Sequence, residues 1–197
     1  MAQSPRRDAQ NSDMPGSDES LMHRLAQRDA QALAQLAERY AHIPWRIACR
    51  MLDDISEAED IAQEAMLKLW NIQGGWDASG SGIAAWLTRV ATNLCIDRIR
   101  RRRTVSDDSL AERADEAPLA DTNIEKDEMR AAIVECIQRL PERQRGAIIL
   151  TYYEDQPNRD AARAMDMKIK AFESILLRAR LSLRKCAEAM GIGGAMA

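Results

Sequence analysis

Apolar residues recur at helical spacing along most of this chain, and the breaks between runs carry turn chemistry. Leu21, Leu25, Leu33, Leu36, Tyr40, Ile43, Ile47 and Met51 form the first run, which ends at Asp53 and Asp54. Ser20 is suited to cap its start, and Pro44 is expected to kink or interrupt it. Ser56 opens SEAEDIAQEAMLKLW, with Ala58, Ile61, Ala62, Ala65, Leu69 and Trp70 on one stripe and Glu57, Asp60, Glu64 and Lys68 opposite. The Gly- and Ser-rich loop NIQGGWDASGSG follows. Then IAAWLTRVATNLCIDRIRRRR reads as one long helix, with Trp86, Val90 and Leu94 toward its buried side, Ile83 and Ile96 beside them, and Arg89, Asn93, Asp97 and Arg100 along a polar edge.

From Thr104 to Asn123 the periodicity disappears, acidic residues accumulate and Pro118 intervenes, as expected of a linker. Periodicity returns with a helix over Glu125–Arg139 and another running from Pro141 to about Tyr153. After the break EDQPN come two closely spaced segments, Arg159–Met165 and Lys168–Ala189. A short helix, a tight turn and a long basic helix make a helix-turn-helix pattern. The expected organisation is a flexible tail over 1–19, a helical domain over 20–103, an acidic linker over 104–123, a helix-turn-helix domain over 124–190 and a second tail over 191–197. The fold class is all-α, with two small helical domains.

Composition agrees with this reading. The chain has 197 residues, 46% of them hydrophobic and only 4% aromatic, a balance poor in the residues that build β-sandwiches and barrels. Its net charge of −3 conceals sorting into blocks. Arg98, Arg100, Arg101, Arg102 and Arg103 form a basic cluster, Asp107, Asp108, Glu112, Asp115, Glu116 and Asp121 an acidic stretch, and the chain from Arg159 to Lys185 is basic again. The polar start lacks the apolar core of a signal peptide, and no apolar run approaches the roughly 20 residues of a membrane span, so a cytoplasmic location is expected.

Little here suggests catalysis. His23 and His42 have no nearby Ser or Cys nucleophile in sequence, and neither a phosphate-binding loop nor a zinc-protease motif occurs. GGWDASGSG lacks the Lys-Ser/Thr ending that a phosphate loop needs. Cys49, Cys95, Cys136 and Cys186 are widely separated among apolar helix formers, which reads as four buried, reduced thiols rather than a metal clip or a disulfide framework. No cofactor or small-molecule substrate is expected.

Three segments in this order carry a more specific signal: AEDIAQEAMLKLW at 58–70, AWLTRVATNLCIDRIRRRR at 85–103, and LPERQRGAIILTYYE through ILLRARLSLRK at 140–185. Together they resemble the extracytoplasmic-function group of bacterial sigma factors. The resemblance implies a first domain that binds a coiled coil of core RNA polymerase through Asp60, Gln63 and Glu64, an acidic ridge suited to charge-assisted hydrogen bonds. It implies that the next helix recognises and melts the −10 element, with Asn93, Asp97, Arg98, Arg100 and Arg101 as contact positions and Trp76 stacking on an extruded base. It implies a −35 reader in the last helix, through Lys168, Lys170, Glu173, Ser174 and Arg178, while Phe172, Leu176, Ala179 and Leu183 face the core.

Departures from the family pattern fall in QPNRDAARAMD. Pro157 and Asn158 stand where Ser and Tyr are common, and Asp166 where the turn Gly is common. Asp tolerates a left-handed backbone, so the turn is expected to survive. An anti-sigma factor is a further partner implied by the resemblance. Two other classes are compatible with parts of the sequence: a dimeric helix-turn-helix regulator acting without polymerase, and a helical enzyme using Asp60 and Glu64 as metal ligands.

Overall fold

The computed structural model describes residues 16–72, 82–106 and 124–192, and every regular element among them is helical. The first domain contains α1 (Asp18–Ala26), α2 (Ala30–Tyr40), α3 (His42–Leu52), α4 (Ile55–Trp70) and α5 (Gly82–Ser106). The second contains α6 (Ile124–Gln138), α7 (Glu142–Ile148) with a π-helical turn over Ile149–Tyr153, α8 (Asn158–Ala164) and α9 (Ile169–Ala189). The expected tails and linker lie mostly outside the described residues.

Local side-chain chemistry sets the boundaries. Ser17, not Ser20, caps α1 by accepting from Ser20 N at 3.2 Å, so the helix starts inside the expected tail. The long first run is three helices. It breaks after Ala26, where Arg28 adopts a left-handed backbone (φ 63°), and again at Ala41, three residues before Pro44. Pro44 sits in the first turn of α3, where a missing N–H is tolerated. Asp29 caps α2, accepting from Gln31 N at 2.8 Å; its hydrogen bond from Arg24, with help from these backbone donors, holds the carboxyl below its ordinary pKa. Asp54 caps α4 through Glu57 N at 2.9 Å, two residues ahead of the expected opening at Ser56.

Two apolar clusters result. One gathers Leu21 and Leu25 of α1, Leu36 of α2, Leu69 of α4 and Leu87 of α5. The other is continuous between the domains, running from Ile47 and Met51 of α3 and Ile96 of α5 to Ile149, Phe172 and Leu176. At the junction Gly146 of α7 lies where Met51, Met165 and Ile96 converge; a Cβ there would stand 3.5 Å from the two Met Cε atoms. The buried stripe of α5 is rotated from the expected one. Leu87, Ala91 and Cys95 are fully enclosed, while Trp86, Val90 and Leu94 are half-buried flanks, because α5 packs against α3 and α4 and also against α7 and α8.

The cysteine expectation needs one correction. Cys136 of α6 and Cys186 of α9 form a disulfide, their Cα atoms 5.8 Å apart, because these helices pack side by side although 50 residues separate the two in sequence. Cys49 and Cys95 are free thiols. Burial pushes the Cys95 thiol up to about 12 and also raises Cys49, so both are protonated at neutral pH.

Candidate nucleic-acid and protein interfaces

α4 turns Ala58, Ile61, Ala65, Met66 and Leu69 inward. Asp60 and Gln63 are exposed on its outer face, Glu64 is half-exposed and pairs with Lys68 at 3.5 Å, and Leu67 is 58% exposed beside them. This is an acidic ridge with one apolar residue on a rigid helix, a geometry suited to a basic protein partner.

The arginine run at the end of α5 divides into two sets. Arg98 turns toward Glu57 of α4 (3.6 Å), and Arg102 binds Glu57 and Asp54, the latter at 3.5 Å. These two fasten α5 to the start of α4. Arg100 and Arg101 are exposed, and Arg100 is paired with Asp97 at 3.0 Å. Asn93 and Asp97 are half-buried on the polar edge. Trp76 lies outside the described residues. Within α5 the hydroxyl of fully buried Thr92 donates to Thr88 O at 2.7 Å, which removes the cost of enclosing it.

The helix-turn-helix is built from α8, a tight turn and α9. Pro157 stands just before α8 with extended ψ (145°). At the other end Met167 N donates to Ala162 O and Asp166 N to Arg163 O, a Schellman closure with Asp166 in the left-handed position (φ 56°) where glycine is usual. Lys168 is the residue before α9, and Lys170, Glu173, Ser174 and Arg178 lie exposed along its outer face. Ser174 Oγ donates to Lys170 O at 3.0 Å and Arg178 Nε to Ser174 O at 3.2 Å, which aligns the stripe along the helix. Phe172, Leu176, Ala179 and Leu183 are buried opposite, as their spacing predicts. A helix with an enclosed apolar stripe and an outward polar face near its N-terminus has the form that enters a major groove.

Comparison with known proteins decides the family. The profile for Sigma-70 region 2 matches residues 36–105, and that for Sigma-70, region 4 matches residues 130–183. The RNA polymerase sigma-H factor of Pseudomonas aeruginosa is 31% identical over 179 residues, covering 85% of this chain and 92% of that protein. The chain belongs to the sigma-70 family. The ECF RNA polymerase sigma factors SigK of a Mycobacterium species (32% identical, 68% of this chain, 72% of that protein) and SigW of Bacillus subtilis (27%, 80% and 89%) fall in the same extracytoplasmic-function group. Two solved structures share the fold. RpoE of Bartonella quintana, solved with the anti-sigma factor NepR, superposes with a TM-score of 0.60 at 22% identity, covering 81% of this chain and 98% of that one. CnrH, solved with the cytosolic domain of CnrY, gives 0.60 at 21% identity, covering 86% and 96%.

Residues absent from the sequence-based site are those joining the two domains. Arg89 Nη2 of this sigma factor meets Asp166 Oδ1 at 2.9 Å, and Arg103 Nη1 meets Glu142 Oε2 at 3.4 Å. Arg46 and Arg50 of α3 converge on Glu154. Arg145 donates into the carbonyl end of α3 at Met51 O (2.6 Å), while Gln138 Nε2 donates to Arg50 O at 3.0 Å. Sequence alone offered no signal that singles them out, because Glu154 and Asp166 stand among many other acidic residues of the second domain.

Proposed function

We propose that this sigma-70 family chain is an alternative sigma factor: it binds core RNA polymerase, directs it to promoters carrying particular −10 and −35 elements, and promotes opening of the duplex. Bond making belongs to the polymerase, and the chain works where the polymerase does, in the cytoplasm. The observation that carries this reading is the presence of regions 2 and 4, in order, in a chain 31% identical to a sigma factor over most of both lengths.

In this reading Asp60, Gln63 and Glu64 of α4 contact the polymerase. Their exposure on one rigid face supports the assignment, because a fixed acidic ridge steers encounter with a basic partner without ordering costs. Asn93, Asp97, Arg100 and Arg101 face the −10 strand, with Trp76 stacking on an extruded base. Arg98, held by Glu57, acts by fixing the helix rather than by touching DNA. Lys168, Lys170, Glu173, Ser174 and Arg178 read or grip the −35 duplex. An anti-sigma factor controls the chain; the complex of RpoE with the anti-sigma factor NepR motivates that partner.

The test is run-off transcription from genomic fragments by core polymerase with and without the purified chain. Transcripts that depend on the chain, and that share upstream −35 and −10 sequences, are expected. Failure to co-elute with core polymerase, combined with protection of a palindromic duplex by the chain alone, would replace this reading with a dimeric regulator.

A further inference from the structure

We infer that Glu173 and Leu177 select the sequence of the −35 duplex: the Glu173 carboxylate accepts from the N4 amino group of a cytosine, and Leu177, one turn further along α9, packs on the methyl group of a nearby thymine. The inference rests on the promoter-binding reading above and names the bases its −35 reader prefers.

Charge supplies the first argument. From Lys168 to Arg184 the chain carries the cations Lys168, Lys170, Arg178, Arg180 and Arg184 and a single acid, Glu173, all of them exposed. The other acid of α9, Glu188, pairs with Arg184 at 3.8 Å, whereas the Glu173 carboxylate pairs with no cation among the described residues, although Lys170 stands one turn before it. Glu173 also lies past the first turn of α9, where the helix dipole would favour an acid. On DNA the phosphates along both edges of the major groove repel it, so it cannot grip the backbone as the flanking cations do. Only donors attract it. The major groove offers two, cytosine N4 and adenine N6; guanine presents N7 and O6, and thymine O4, all of them acceptors. Adenine sets its N7 acceptor beside N6, which opposes a carboxylate, so cytosine is the base selected.

The neighbours of Glu173 supply the second argument. Ser174 Oγ gives its proton to Lys170 O at 3.0 Å and keeps only acceptor capacity toward the groove, so two acceptors stand side by side on the face assigned to the duplex. Ile169 and Leu177, one turn before and one turn after Glu173, are 44% and 57% exposed. A phosphate offers an apolar side chain nothing, whereas the thymine C5-methyl is the apolar group that the major groove presents. Glu173 and Leu177 lie in the first half of α9, the part of a recognition helix that reaches base edges. Four residues of helix rise about 6 Å, or about two base pairs at about 3.4 Å each, so the cytosine and the thymine fall within about two pairs of one another.

The test uses the full-length chain bound to core polymerase and a promoter recovered by run-off transcription, each −35 pair being replaced in turn by the other three. Wild type is compared with Glu173→Ala, Glu173→Gln and Leu177→Ala, with helicity checked by circular dichroism. Wild type should prefer C·G at one −35 pair by about tenfold, the discrimination that one good base contact supplies. Glu173→Ala should flatten that pair to within about twofold and leave the preferences at other pairs in place. Glu173→Gln, whose amide matches N6 and N7 of adenine, should move the preference there to A·T. Replacing the nearby thymine by uracil, which lacks only the methyl, should weaken wild-type binding about threefold and Leu177→Ala binding not at all. A preference profile that Glu173→Ala leaves unchanged overturns the cytosine contact, and so does equal weakening at every pair. An equal uracil effect in wild type and Leu177→Ala overturns the thymine contact; weaker core polymerase binding by Leu177→Ala with that effect intact assigns the residue to the polymerase instead. If wild type shows no preference at any −35 pair, the promoter-binding reading falls and this inference with it. A wild-type preference that ignores both substitutions removes this inference alone.

Discussion

Replacing Arg145 by alanine tests the junction between the domains directly. The residue is buried, 7% exposed. It serves Met51 O at 2.6 Å across the interface, and Gln138 Oε1, Gln138 O and Leu140 O (3.4 Å) within the second domain. Alanine leaves three well-served acceptors without this donor, at about 1 kcal/mol each after water enters the space, and removes a buried charge whose own desolvation opposed folding. With that relief offsetting part of the cost, the expected net loss is about 2 kcal/mol. With a urea slope of about 2 kcal/mol per molar, the unfolding midpoint should fall by about 1 M. Lysine at this position offers a single ammonium where the fork is planar, and should recover less than about half. In a double-mutant cycle with Gln138→Ala, a coupling of about 1 kcal/mol or more is expected, since the two side chains share one network. A loss below about 1 kcal/mol for Arg145→Ala, or full recovery by lysine, would refute the reasoning.

Four further outcomes are expected. Asp60→Ala with Glu64→Ala should weaken core polymerase binding by about tenfold or more with helicity unchanged, since both residues are surface-facing on α4; equal binding removes the ridge as a contact. Lys168→Ala and Lys170→Ala should each lower the log–log salt slope of promoter binding by up to about 0.9, and an unchanged slope excludes phosphate contact. Tyr40, half-buried and donating to Asp18, has its pKa pushed up to about 12, so the stability its neutral form supplies is complete below about pH 10 and lost as pH rises through about 12. Asp18→Asn should shift its ultraviolet titration downward; an unmoved midpoint removes Asp18 as a cause. Digestion without reductant should yield a peptide pair joined through Cys136 and Cys186, and reduction should lower stability by up to about 4 kcal/mol for a loop of 50 residues. Equal stability of the reduced chain would sink that estimate.

What was legible in the sequence followed from whether an element packs on one side or several. α9 lies with a single stripe inward, so Phe172, Leu176, Ala179 and Leu183 could be named from spacing, and their opposite face with them. α5 meets neighbours on two sides, which blurs its periodicity and hid Leu87 and Ala91 behind the more conspicuous Trp86 and Val90. The starts of α1 and α4 lie three and two residues before the expected ones because several acceptors compete near each boundary, and only geometry selects Ser17 and Asp54. The disulfide and the domain junction join residues 39 to 108 positions apart, beyond the reach of any local pattern.

The charge blocks show how far sequence reasoning carries. Read along the chain, five arginines between 98 and 103 form one basic surface for DNA. In the fold Arg98 and Arg102 are held by Glu57, and Arg102 also by Asp54, so they brace α5 on α4; Arg103 reaches Glu142 of the second domain. Arg100 and Arg101 are left outward on the helix. A cluster that looked uniform therefore combines a brace, an interdomain tie and a two-residue candidate DNA surface. Glu57→Gln separates these roles. It should loosen the α4–α5 brace and lower thermal stability by about 1–2 kcal/mol while leaving Arg100 and Arg101 exposed as before. A fall in promoter affinity larger than that loss of folded protein explains would instead assign Arg98 or Arg102 to the DNA as well.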